Sequence, residues 1–398
     1  MKLAQRVSRI KPSATLSISA KARALKQKGI QVINFGVGEP DFDTPQHIRD
    51  AAIAALNRGE TRYTAVGGID ELKDAICRVI QEDYGLSYAK ENVMVSCGGK
   101  HALYNLFQTV LDPGDEVIIP SPYWVSYPDM VELAGATPVT VACPEENGFK
   151  LRPEDLEDAI TPHTRMIILN SPSNPTGVHY LPSELAALAK VLARYEEIMI
   201  VSDDIYYKIL FQGYEWVNIA MLDEGLRDRT FIVNGVSKSY CMTGWRIGYL
   251  IGDAKVIKAA TNIQSQSTSN PTSIAQWASV SALNGDQEIV AQMTEVFEDR
   301  CKYVLERLGR LPGVSCPAPA GAFYVFPNVS HYFGRKHGNH LIMNSLDMAN
   351  FLMEKAHVAV VPGSAFGEDR CIRFSYALSM DDLKEGFDRI EQALEALS

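Results

Sequence analysis

No stretch of this 398-residue chain stays apolar for the roughly 18 residues that a membrane helix needs, so no membrane association is expected. Positive charge is also in short supply. The 38 Lys and Arg are outnumbered by 48 Asp and Glu, a net charge of −10, which argues against a nucleic-acid binder. The seven cysteines, at 77, 97, 143, 241, 301, 316 and 371, never fall at C-x-x-C spacing, which disfavours a zinc ribbon or a dithiol redox site. Their odd number and scatter fit reduced, mostly buried thiols of a cytoplasmic protein. Met1 to Pro12 interleaves Lys2, Arg6, Arg9 and Lys11 with polar residues where a signal peptide has its apolar core. At 46% hydrophobic and 22% charged residues the chain is too apolar for disorder. Its length allows a large core without disulfide or metal staples.

Short runs rich in Val and Ile alternate with amphipathic stretches through the middle of the chain. Val93–Cys97, Glu116–Pro120, Arg165–Asn170, Ile198–Asp203, Phe231–Asn234 and Gly248–Gly252 read as buried strands. His101–Leu111 and Pro182–Tyr195 carry apolar residues at helical spacing, and Asp112-Pro-Gly-Asp marks a turn. Such alternation predicts an α/β fold with a mainly parallel sheet flanked by helices on both faces. Past about residue 285 the pattern changes. A long helix over Gln287–Leu311 is followed by strands at Ala322–Phe326, His357–Val361 and Cys371–Tyr376, a helix at Ser345–Lys355 and a last helix from Met380. That order suggests a smaller α+β domain. The predicted division is a large α/β domain over 47–286 and a small domain from 1–46 together with 287–398.

Four segments carry chemistry. Lys238 follows the strand Phe231–Asn234, and carboxyl ends of strands are where open α/β sheets build their sites. It stands among small and hydroxyl residues, with Arg246 eight positions on. A Schiff-base lysine needs low local polarity, and an arginine suits a phosphate, a combination that pyridoxal phosphate demands. Asp203 and Asp204 end another strand, but adjacent strand residues face opposite ways, so they do not easily share a ligand. One acid with Tyr206 three residues on fits a different need: a buried carboxylate beside a pyridine nitrogen and a hydroxyl for the ring oxygen. Asn170-Ser-Pro-Ser-Asn-Pro-Thr-Gly is unremarkable as a turn. Ser96-Cys-Gly-Gly-Lys-His lets backbone approach an anion at a helix start, yet lacks the rest of a Walker loop.

Taken in order, these segments resemble the class I, fold-type I aminotransferases that use pyridoxal phosphate. Gly38-Glu-Pro-Asp-Phe, Ser121-Pro-Tyr-Trp, Asn174-Pro-Thr-Gly, Ser202-Asp, Ser237-Lys, Met242-Thr-Gly-Trp-Arg and Arg373-Phe-Ser-Tyr-Ala all fall in family order. Lys11-Pro-Ser-Ala-Thr and Ser121-Pro-Tyr-Trp-Val-Ser-Tyr-Pro resemble the bacterial aspartate aminotransferases, including the aspartate/prephenate subgroup.

The resemblance implies that Lys238 holds the cofactor and then shuttles a proton, that Asp203 pairs with the ring nitrogen, and that Tyr206 and Asn174 bond the ring's phenolic oxygen. It places Trp124 on the ring face and Gly99, the Lys100 backbone, Ser237 and Arg246 around the phosphate. Tyr63 joins them from a partner subunit, which implies a homodimer. Arg373 is expected to clamp the substrate α-carboxylate with help from Gly38. Lys100, aided by Ser13 and Thr15, is expected to take a distal carboxylate, and a basic Lys11 goes with prephenate use. The implied reaction moves the amino group of L-aspartate to 2-oxoglutarate by a ping-pong cycle, and the alternatives are a bifunctional aspartate/prephenate enzyme or an aromatic or alanine aminotransferase. Departures are Asp204 in place of a usual glutamate, Tyr207 for an acid, Ser173 for asparagine and Gly235 for a hydroxyl residue. His331, His337 and His340 read as part of a surface loop, with no metal site expected.

Overall fold

The computed structural model describes residues 1–10, 14–338 and 340–398. A seven-stranded sheet forms the centre, from β1 (Val93–Ser96), β2 (Glu116–Ser121), β3 (Thr137–Ala142), β4 (Thr164–Asn170), β5 (Met199–Asp203), β6 (Thr230–Gly235) and β7 (Gly248–Ile251). Spatial order is β1-β7-β6-β5-β4-β2-β3. All neighbours are parallel except β7, which runs against both β1 and β6. The expected α/β architecture is borne out. β3 escaped the sequence reading because its residues are mostly half-buried or exposed, so the apolar signal is weak.

Period-two alternation explains the layers. Met94, Val117, Ile119, Ile168, Val201 and Phe231 pack on one face with Leu103, Leu106 and Phe107 of the helix Gly99–Val110. Their chain neighbours Ile118, Ile167 and Ile200 point the other way, onto Leu185, Leu188 and Leu192 of the helix Pro182–Leu192. Each fully buried side chain of this size contributes about 1.5–3 kcal/mol, so a sheet covered on both faces needs no further staple.

Because β7 is antiparallel to both its neighbours, the carboxyl ends of β1, β4, β5 and β6 share one edge, and the amino end of β7 meets them there. Gly248 faces both Ser96 and Gly235 in register. A Cβ on Gly248 would stand 2.2 Å from the Gly99 nitrogen, so only glycine lets the β1 turn and β7 come together.

The chain beyond 287 runs through the helix Glu288–Leu308, three short paired strands (Val361–Pro362, Ile372–Ser375 and Tyr324–Val325) and the helix Met380–Glu395. The long helix stops three residues before the expected Leu311, and the strand expected over Ala322–Phe326 shrinks to two residues. The helix expected over Ser345–Lys355 is α-helical to Phe351 and continues as one wider turn. An aromatic cluster of Phe35, Phe297, Phe323, Phe374 and Phe387 lies under these elements. Phe35 comes from the N-terminal part and pairs with Val358–Ala359 through its neighbours Ile33–Asn34. All seven cysteines are free, but only Cys143, Cys301 and Cys371 are buried and four are half-buried, short of the expectation that most would be. His331, His337 and His340 lie in a largely exposed stretch, where Lys336–His337 and His340–Leu341 form a short hairpin. Among the described residues no helix is long and apolar enough to cross a membrane.

One ion pair ties the segment before the first large helix to the C-terminal part. Arg300 Nη1 and Nη2 donate to the two carboxylate oxygens of Asp41 at 2.7 and 2.9 Å, and the guanidinium lies over Phe42 and Phe297. The arginine side chain is 9% exposed. Breaking so buried a pair leaves an uncompensated charge. Arg300→Met is expected to lower stability by about 2–4 kcal/mol in thermal unfolding, with Asp41→Asn costing at least as much because the charge it leaves unpaired, Arg300, is the more deeply buried one.

Candidate active site

At the shared strand edge lies a cavity of about 290 Å³. Asp203 enters it from the end of β5, Asn170 from the end of β4, and Ser237 with Lys238 from the turn after β6. Gly99 and Lys100 open the helix after β1, and Arg246 stands two residues before β7. The C-terminal part supplies Arg373 and Tyr324. Trp124, Asn174, Tyr206 and Gly38 complete the sequence-predicted residues that line it. Tyr63 does not, being 92% exposed on this chain. Lys11 and Ser13 lie outside the described residues. Thr15 belongs to the helix Ala14–Gln27, with its side chain outside what is described.

The charges here are buried with little compensation. Asp203 is 6% exposed, and burial pushes its carboxyl up to about 6 against the hydroxyl of Tyr127, which donates to it at 2.6 Å. Its Oδ1 also accepts from the Ile205 amide at 3.3 Å. Asp204 faces the other way, as the strand alternation requires, and bonds Tyr84, Ser202 and Asn218. Lys238 donates to the Gly38 carbonyl at 2.6 Å. Burial lowers its amine to about 8, with Glu39 opposing and Arg373 and Arg246 adding to the shift. An amine near 8 is neutral often enough at neutral pH to act as nucleophile and base.

Arg373 is 2% exposed and has no acidic partner among the described residues. Nη1 donates to Asn174 Oδ1 and Nη2 to the Gly36 carbonyl, both at 2.9 Å, while Nε has no partner. Asn174 is itself held through its amide, which donates to Asn170 Oδ1 at 2.9 Å, and Asn170 Nδ2 donates to the Asp203 carbonyl at 2.8 Å. One chain of hydrogen bonds therefore links Arg373 to the strand end bearing Asp203. The Tyr206 and Tyr324 hydroxyls are 2.9 Å apart. Lys100 Nζ sits 4.9 Å over the Trp124 ring, and burial, then Arg246, lowers its pKa.

The sequence reading did not assign Tyr127, Asn170, Ile205, Thr243 or Tyr324 to the site. Tyr127 and Thr243 stood inside quoted motifs, but only the fold shows that Tyr127 reaches Asp203 and that Thr243 donates to Glu39 at 2.6 Å.

Residues 30–390 match the family model for aminotransferase class I and II. The chain belongs to that family. This aminotransferase is 50% identical to the aspartate aminotransferase of Bacillus subtilis, over 99% of each chain. It is 51% identical to the aspartate/prephenate aminotransferase of Cereibacter sphaeroides, over 100% of this chain and 99% of that one. The crystal structure of the aspartate aminotransferase from Rhizobium meliloti superposes with a TM-score of 0.97 at 47% identity, covering both chains completely. The aspartate aminotransferase from Thermus thermophilus with maleate gives a TM-score of 0.92 at 41% identity, over 99% of this chain and 100% of that one.

Class I aminotransferases depend on pyridoxal phosphate, and the cavity of this aminotransferase fits that group. A buried carboxyl without a salt-bridge partner suits a pyridinium, and a lysine of lowered pKa suits an aldehyde. The helix Gly99–Val110 starts without a side-chain cap, so its first amides are open to a phosphate. Gly98 has φ of +90°, and a Cβ there would meet Arg246 Nη2 at 2.3 Å. Arg246 itself holds a left-handed backbone, φ 58°, which costs a non-glycine residue about 1 kcal/mol or more and marks a conformation imposed by its surroundings. Its Nη2 donates to the Cys97 carbonyl at 3.2 Å.

The sign of the Asp203 shift has a measurable consequence for the cofactor-free protein. A carboxyl raised in the folded state binds more protons there than in the unfolded chain, so its contribution to stability declines as pH rises from about 4 through 6. Asp203→Asn is expected to stabilise the cofactor-free protein above pH 6 by up to about 3 kcal/mol relative to the parent, the gain vanishing below pH 4, as read by urea unfolding at pH 4 and 8.

Proposed function

We propose that this aminotransferase transfers the amino group of L-aspartate to 2-oxoglutarate by a ping-pong cycle. The observation that carries the reading is a cavity lined by two cations, the buried Arg373 with an unpartnered Nε and Lys100, whose Nζ lies over the Trp124 ring. A dicarboxylic substrate needs two such groups, one per carboxylate. Arg373 takes the α-carboxylate by a two-pronged contact, with Asn174 and the Gly36 carbonyl fixing the plane of its guanidinium. Lys100 takes the distal carboxylate, with Ser13 and Thr15 as its helpers.

Pyridoxal phosphate, when bound, supplies an aldehyde for the amino group and a ring that draws electrons from the substrate Cα. Lys238 would hold that group and would move the proton from the substrate Cα. Asp203 keeps a proton on the ring nitrogen, and Tyr127 keeps Asp203 oriented. Tyr206 and Asn174 bond the ring oxygen and Trp124 covers the ring face. Gly99 and the Lys100 backbone, with Ser237 and Arg246, hold the phosphate. The cofactor is housed in a unit of residues 47–286, and a smaller unit from 1–46 and 287–398 brings Arg373.

The protein acts in the cytoplasm as a homodimer, with Tyr63 completing the neighbouring site. Support comes from Tyr63 itself, left exposed on this chain, and from the exposed large apolar side chains Ile53, Leu56 and Ile263. A second reading adds prephenate as amino acceptor. It is favoured by the relative from Cereibacter sphaeroides, named aspartate/prephenate aminotransferase, and by the basic Lys11.

Mixing the cofactor-loaded protein with single amino acids tests the substrate. Aspartate and glutamate are expected to bleach the visible band rapidly and 2-oxoglutarate to restore it, with alanine and phenylalanine slow; faster bleaching by either of the latter overturns the dicarboxylate reading. Lys100→Met should lower kcat/KM for aspartate by about 10- to 100-fold while leaving that for alanine nearly unchanged. Lys238→Ala should lower transamination at least about 100-fold with every substrate.

A further inference from the structure

Behind Asp203, on the far face of β5, lies a second acid that the reaction as described does not use. Asp204 is 1% exposed. Its Oδ1 accepts from the Ser202 hydroxyl at 2.7 Å, and its Oδ2 from Asn218 Nδ2 at 2.7 Å and the Tyr84 hydroxyl at 2.9 Å.

Hydrogen-bond direction decides what this cluster is built for. Asn218 Nδ2 can only donate, and its other hydrogen goes to Ser202 Oγ at 2.9 Å, which leaves the serine hydrogen for Asp204. Asn218 cannot be turned round, since its Oδ1 already accepts from the Ala220 amide at 2.8 Å. The Tyr84 oxygen is approached by Asn234 Nδ2 at 3.4 Å, so its own hydrogen also points to Asp204. Three donors converge on one carboxyl, an arrangement that an ionised acid satisfies and a protonated one does not.

No Lys, Arg or His pairs with Asp204 among the described residues. The nearby Lys208 is occupied by Asp83 at 2.6 Å, and Asp83 also accepts from the Tyr207 hydroxyl at 2.7 Å. The titratable groups around Asp204 are therefore Tyr84 from the helix Asp70–Tyr84, Tyr249 from β7, Tyr207 with its ring tilted against that of Tyr84, and Asp203 with Tyr127 across the strand. None supplies a positive charge.

We propose that Asp204 is a positioning residue that acts by charge: its carboxylate, kept ionised by Ser202, Asn218 and Tyr84, adds negative potential behind Asp203 and strengthens the hold of Asp203 on the proton of the cofactor's ring nitrogen. Burial, with the charge of Asp203 adding to it, raises this carboxyl to about 7 even against the three donors, so its charge is fully present above that pH. Charge so poorly screened acts over several ångströms in the protein interior. The inference rests on Asp203 being the partner of the ring nitrogen.

The experiment is a pH titration of the visible absorbance of the holoenzyme, which reports the protonation of the cofactor's link to Lys238. Removing a negative charge disfavours the protonated, positive form, so Asp204→Asn should move the midpoint down by about half a unit to one unit. Asp204→Glu, which keeps the charge, should restore it. Tyr84→Phe removes one donor and keeps the carboxyl; it should shift the midpoint the same way by less, and carries the test alone if Asp204→Asn does not fold. An unmoved midpoint in the folded variants, or an Asp204→Glu midpoint that stays with that of Asp204→Asn, overturns the proposal. Asp203→Asn run in parallel separates the two failures. If it leaves cofactor retention and the titration unchanged, the role given to Asp203 falls; if it disturbs both while Asp204→Asn does nothing, only the role of Asp204 falls.

Discussion

Charge buried without full compensation is the constraint on which the site depends. Asp203 and Arg373 are buried and Lys238 is half-buried, and none forms an ion pair within hydrogen-bond distance with another charged side chain among the described residues. In water such groups would be solvated at little cost, whereas here each is held by neutral partners: a tyrosine hydroxyl, a backbone carbonyl, an asparagine side chain. Isolated charges in a protein interior are expensive unless something of opposite sign is to arrive. The cavity is thus preorganised for a ligand that brings a cationic ring nitrogen, an aldehyde and anionic carboxylates.

That preorganisation needs rigid supports, and the sheet provides them. Four strand ends and the start of a fifth meet at one edge, so residues distant in sequence are held by the same hydrogen-bonded ladder. Asn170 shows the coupling at atomic scale, with its amide joining the β4 end to Asp203 on one side and to Asn174, and through it Arg373, on the other. Displacement of either end disturbs both the proposed cofactor partner and the proposed substrate clamp. The ion pair of Arg300 and Asp41 plays a similar role from outside, pinning the segment that carries Gly38 to the long helix.

Much of the fold was legible in the sequence because buried strands announce themselves. Six of the central strands are near-continuous apolar runs, as expected for a sheet covered on both faces. β3 was missed because it lies at the edge, where half of its side chains need no burial. The short strands of the C-terminal part were drawn too long, since the apolar residues around Tyr324 serve the aromatic cluster more than a ladder. The motif residues were legible too, because glycine pairs, an Asn-Pro turn and a lysine among hydroxyl residues have few structural reasons to occur in that order.

By itself, then, the sequence determined the layered α/β architecture, the family to which the chain belongs and the short segments with chemical potential, since each depends on local pattern and residue type. Only the tertiary structure decided that Tyr127 reaches Asp203, that Asn170 bridges two strand ends and that Tyr324 meets Tyr206. It alone showed Arg373 with an unpartnered nitrogen and Asp204 with three donors turned toward it. Apart from Ser202, two residues from Asp204, the partners in these contacts lie 14 to more than 300 positions away, and no periodicity or spacing encodes which hydrogen bond a buried group will find.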